Sequence, residues 1–89
     1  MRDSAIAEPL PRHVIIPAEG GATGFGYDIY MGDRLYIHQP SIPAVPGNRG
    51  FSTKENAERA AFFVIHKIRN NILPPAVSPE ELDSLGVLD

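Results

Sequence analysis

Phe25-Gly26-Tyr27-Asp28-Ile29-Tyr30-Met31-Gly32-Asp33-Arg34-Leu35-Tyr36-Ile37-His38-Gln39 is the stretch that decides the fold. It is dense in Tyr and Ile, residue types that suit a pleated surface, and it breaks once, at Gly32-Asp33. The reading is a hairpin with two registers open to it. A three-residue loop of Gly32, Asp33 and Arg34 sets Met31 against Leu35, Ile29 against Ile37 and Tyr27 against Gln39. Phe25, Tyr27, Ile29, Met31, Leu35 and Ile37 then share one face. A two-residue loop sets Ile29 against Tyr36 instead. The three-residue register is preferred, because a slip of one residue turns one strand's apolar set to the other face. It also pairs Asp28 with His38 and Tyr30 with Tyr36 on the second face.

Downstream, Pro40, Pro43 and Pro46 hold a long loop extended, and Val45-Pro46-Gly47-Asn48 has Pro and Gly where a type II turn needs them. Ser52-Thr53-Lys54-Glu55 reads as a capping box that opens the main helix, predicted over Thr53 to Asn70. Ala57, Ala60, Ala61, Val64, Ile65 and Ile68 form its apolar stripe, and the alanines permit close approach to a sheet. Asn70-Asn71 is a left-handed exit and Pro74-Pro75 forbids continuation. Ser78-Pro79-Glu80-Glu81, closed by Gly86, predicts one short final helix. Upstream, His13-Val14-Ile15-Ile16 between Pro11 and Pro17 suits a short or edge strand, and Glu19 to Gly24 is a flexible connector. The expectation is an α+β fold: a small antiparallel sheet, the hairpin plus a third strand, packed on one main helix, with a short C-terminal helix. Residues 1–12 read as a tail and 13–89 as a single small domain.

At 89 residues the chain holds a thin core. Eight Lys and Arg against eleven Asp and Glu leave a net charge of −3, which lacks the basic excess that phosphate backbones attract, so no nucleic-acid partner is expected. Without cysteine there is no disulfide framework, zinc ribbon or thiol nucleophile. No apolar run is long enough to span a bilayer, so no transmembrane segment is expected. Ala5-Ile6-Ala7 does not make the apolar stretch of a signal peptide, which fits either a cytoplasmic chain or a mature exported one.

Gly21, Gly24 and Gly26 precede a strand rather than a helix, which removes the phosphate-loop reading and leaves a flexible approach to the strand. His13, His38 and His66 are not paired at i, i+4 spacing, so neither metal nor cofactor is expected. Asp28 opposite His38 could raise the histidine pKa and serve as a general base, or be an ordinary cross-strand pair; local spacing puts no Ser or Thr beside it. Gly47-Asn48-Arg49-Gly50 could present amides and a guanidinium to an anion or peptide carboxylate, or simply turn into the helix. Phe62 and Phe63 lie on the two flanks of the helix stripe, beyond what one sheet face covers. The helix is locally basic and the residues after Ile72 are acidic. Together these favour a symmetric homodimer through Phe62 and Phe63. The competing arrangement folds Leu73, Val77, Leu82 and Leu85 back over one phenylalanine and leaves the other half exposed.

Gly26-Tyr27-Asp28-Ile29-Tyr30, Leu35-Tyr36-Ile37-His38-Gln39, Ile42-Pro43-Ala44-Val45-Pro46-Gly47-Asn48 and Gly50-Phe51, followed by Thr53-Lys54-Glu55 and Leu73-Pro74-Pro75, carry a resemblance over about Gly24 to Leu88. The chain resembles a small uncharacterised bacterial family labelled only as a domain of unknown function, and the Ile-Pro-Ala-Val-Pro-Gly-Asn loop is the most specific part. The resemblance implies a cell-envelope location, periplasmic or outer-membrane-associated, and no catalytic residues. The expected function is a noncatalytic module that binds a protein or peptide through the Pro-rich loop and hairpin face, with Tyr30, Tyr36, His38, Asn48 and Arg49 in contact. The alternative is a small-molecule-binding protein or small enzyme built on Asp28 and His38.

Overall fold

A computed structural model describes residues 10–45, 47 and 49–88. Strands β1 (Pro11–Pro17), β2 (Phe25–Met31) and β3 (Arg34–Gln39) form an antiparallel sheet in the order β1-β2-β3, followed by helices α1 (Lys54–Arg69) and α2 (Pro79–Leu85). This is the expected α+β architecture. Strand β1 takes in Pro11, Arg12 and Pro17, three residues more than the β-branched run His13–Ile16 suggested.

The hairpin uses both registers, one at each end. Tyr27 pairs with Gln39, Asp28 with His38 and Ile29 with Ile37, as the three-residue loop required. A bulge between Ile29 and Tyr30 then shifts the pairing, so Tyr30 meets Leu35 and Met31 meets Arg34 around a two-residue loop, Gly32-Asp33. Gly32 takes φ 62° at the first loop position, where a Gly-first two-residue turn needs positive φ. The bulge lets the chain have that turn and still return Ile37 to the helix side. Leu35 therefore leaves the core face and is 53% exposed, and Tyr36 becomes the extra residue instead of the partner of Tyr30.

Tyr27 and Ile29 bury their side chains under α1, whose Ala57, Ala60, Ala61, Val64 and Ile65 face them. Small residues at three of those positions let the helix approach β1 and β2 closely. Phe51 extends β2's ladder by exchanging backbone bonds of 2.9 and 2.8 Å with Phe25, and its ring is fully buried. The α1 cap is Thr53, whose hydroxyl accepts from the Asn56 N–H at 3.0 Å, rather than Ser52. Asn71 exits at φ 62°, and the Ser78–Glu81 capping box forms as read, with Gly86 left-handed behind it.

Both sheet edges are blunted. Ala18 N–H donates to Gly24 O and Gly32 N–H to Leu10 O, so the even-numbered residues of β1 point their backbone groups at β2 and the odd-numbered ones point outward. Two of the four outward positions are Pro11 and Pro17, which have no N–H to offer. The opposite edge carries the bulge.

The acidic arm closes on its own helix. Lys67 is buried and donates to Ala76 O and to Glu81 Oε1 at 2.9 Å, while Arg59 donates to Leu85 O at 3.3 Å. Phe63 packs against the core and lines a cleft with α2, under the Lys67 ammonium at 4.9 Å. Phe62 is 53% exposed, with the His13 ring edge-on at 4.7 Å.

Candidate functional site

Residues directly opposite in an antiparallel ladder share a face, so the register places Arg12, Tyr30 and Leu35 in one row of the sheet's helix-free side. Val14, Asp28 and His38 form the next row, and Ile16 and Gly26 a third. Val14 and Leu35 stand exposed, as does Tyr36 on the bulge. The Arg12 guanidinium lies 4.4 Å over the Tyr30 ring, which holds two long side chains flat against the sheet.

At the centre, Asp28 is buried and accepts from His38 Nδ1 at 2.6 Å, while His38 Nε2 bonds Glu19 Oε2 at 2.9 Å. The two carboxylates flank one imidazole. The hydrogen bond to Asp28, then that to Glu19, raises the His38 pKa above its usual 6.5. In the protonated ring both nitrogens donate, leaving no lone pair to accept a substrate proton. The clamp also ties the connector after β1 to β3. Among the described residues the hydrogen-bond partners of His38 are the two carboxylates, with no serine or threonine hydroxyl among them.

The clamp has a wall beside it. Glu19, Gly20, Pro40 and Ser41 line an open depression of about 270 Å³. Gly26 makes this crossing possible: a Cβ there would lie 2.3 Å from Gln39 O and 2.6 Å from Pro40 Cα. The loop that follows holds Ala44 at φ 63° and Gly47 at φ 90°. Its Pro46 and Asn48 lie outside the described residues, so the expected type II turn and the Asn48 contact do too.

Of the residues expected to bind, Tyr30 and His38 share the helix-free face with Asp28, and Tyr36 projects from its bulged edge. Arg49 is exposed in the loop, where its carbonyl accepts from the Ile42 N–H at 3.0 Å. No hydrogen bond or ion pair among the described residues joins it to the clamp. Glu19 and Arg12 were not anticipated. Glu19 sat in a glycine-rich connector and is brought to His38 only by the turn; Arg12 sat in the tail reading, and only β1's extra length pairs it with Tyr30. Among the described residues, no group of three or more His, Asp and Glu is placed to hold a metal ion, and no helix is long and apolar enough to cross a membrane.

Residues 20–84 match a family model described as a domain of unknown function (DUF4907), and the chain belongs to that family. The match takes in the connector with Glu19's neighbour Gly20, both hairpin strands, the Pro-rich loop, α1 and nearly all of α2. Comparison with curated proteins and with solved structures found no match.

Proposed function

We propose that this domain is a noncatalytic binding module of the bacterial cell envelope, meeting a protein or peptide partner with the helix-free sheet face and the adjoining Pro-rich loop. The carrying observation is the uncovered face itself. Exposed Val14, Leu35 and Tyr36 and the stacked Arg12–Tyr30 pair surround a fixed charged centre, a mixture suited to anchoring and orienting a partner. The blunted edges argue for recognition by side chains on the face rather than by strand addition. The prolines at 40 and 43 reduce the entropy lost when the loop docks. The bacterial and envelope parts of the reading rest on the motif resemblance alone.

The rival reading, an enzyme or small-molecule site on Asp28 and His38, has less support, because the His38 side chain is 41% exposed and both its nitrogens are already bonded. Affinity capture from an envelope fraction, with bound proteins crosslinked and identified, tests the proposal. Wild type and Phe62→Ser, altered on the opposite side, should retain the same partner. The Leu35→Ser, Tyr36→Ala double variant should lose it. Retention by all three removes the face from the proposal.

A further inference from the structure

On the helix side of the sheet, away from the proposed partner face, Tyr27 is 1% exposed. No hydrogen bond among the described residues reaches its hydroxyl, and burial pushes its pKa upward, so the phenol stays protonated and remains a donor. A buried hydroxyl without a partner is uncommon in a folded chain, because it forfeits the hydrogen bonds that water would supply. Tyr27 also lines a cavity of about 220 Å³, partly open to solvent, with Ile37, Pro43, Val64, Pro74 and Val77 among its walls. Gln39 stands at the same cavity with its amide nitrogen already donating to Ser41 O at 2.8 Å. Among the described residues none that lines the cavity is charged.

We infer that this cavity is a binding site for a small uncharged molecule with an apolar body and one hydrogen-bond acceptor, such as a carbonyl, seated against the Tyr27 hydroxyl. The absence of a charged wall excludes phosphates, carboxylates and ammonium groups, which would lose their hydration without compensation. Proline rings and aliphatic side chains supply contact without polar demands. The volume sets the size: a cavity of roughly 150 Å³ holds benzene, so this one takes a ring with a short substituent.

Benzamide is the probe, with benzoate and toluene as its charged and acceptor-free counterparts, read by backbone amide chemical shifts of the whole chain. Benzamide should shift Ile37, Val64 and Val77 saturably at concentrations up to about 10 mM, the weak end for so small a ligand. Benzoate should not. Tyr27→Phe should weaken benzamide binding roughly two- to tenfold, the value of one hydrogen bond, while keeping the helical circular-dichroism signal and a thermal midpoint no lower than wild type. Ala76→Leu, which enlarges an exposed residue of the rim and leaves the Tyr27 hydroxyl in place, should abolish the shifts. No saturable shift, equal binding by Tyr27→Phe, or toluene and benzoate binding as well as benzamide would each overturn the assignment.

Discussion

His38 carries two carboxylate partners, and its raised pKa makes it a source of pH dependence with a definite sign. A group whose folded pKa lies above its unfolded value of about 6.5 stabilises the fold fully below that value, and the contribution is lost as pH rises through the folded pKa. The thermal midpoint should therefore decline as pH rises above about 6.5, by a small amount because the ring is 41% exposed and solvent screens it. His38→Asn should remove that decline. A ring titration by NMR with a midpoint at or below 6.5 would contradict the clamp. Gly26 supports a second residue-scale expectation. Its neighbours at 2.3 and 2.6 Å are backbone atoms of Gln39 and Pro40 that have no rotamer to change, so Gly26→Ala should cost about 1–3 kcal/mol in chemical denaturation. Gly21 serves as the contrast: it has open space but φ 80°, so Gly21→Ala should cost only the left-handed penalty of about 1–2 kcal/mol.

Among the elements, α2 depends on a cation that the sequence made look like an ordinary surface lysine. Lys67 holds both the Ala76 carbonyl and Glu81, so Lys67→Ala should lower the thermal midpoint by roughly 5–10 °C. Lys67, and then the Ser78 N–H, lower the Glu81 pKa below 4.5. That stabilisation is present above about pH 4.5 and is lost as pH falls through the folded value, so wild type should lose stability in acid more steeply than Lys67→Ala. A variant with unchanged midpoint and unchanged acid slope would show that α2 is held by Leu82 and Val87 alone. Most elements were legible from pattern: the alanine stripe, the Ser78–Glu81 box and the left-handed Asn71 all lie where local chemistry puts them. The bulge was not, because the two-residue turn and the inward Ile37 each make sense alone, and only an extra residue satisfies both. The cap of α1 was read one residue early for a simpler reason: Ser52 and Thr53 are adjacent hydroxyls, and Thr53 takes the Asn56 backbone N–H while Ser52 accepts from the Asn56 side chain four residues on. At the site, Asp28 opposite His38 followed from register, whereas Glu19 depended on the path of a connector that has no periodicity to read.

At the scale of the whole molecule, one helix and a short arm cover one face of three strands, so the core has little redundancy. Ile29 is 0% exposed and Val64 2%, and Ile29→Asp or Val64→Asp should each unfold the chain, visible as loss of the cooperative thermal transition, since neither site offers a partner for the charge. The same economy decides self-association. The sequence favoured a homodimer because two phenylalanines needed cover, but α2 lies beside Phe63 and the Lys67 ammonium sits over its ring, closing that flank within one chain. Phe62 is left with Glu55, Glu58 and Arg59 around it, a small patch with a charged rim, and both sheet edges are poor templates for a second copy. A stable interface on that flank needs about 800 Å² from each partner, far more than one half-exposed ring supplies. The expected state is therefore a monomer, and light scattering over a dilution series should report the mass of one 89-residue chain up to several hundred micromolar, roughly the range in which weak association becomes visible. A mass that doubles with concentration would reject this, and the variants would then locate the contact: loss of the dimer in Phe62→Glu would put it on the α1 flank, and loss in Leu35→Glu on the helix-free face.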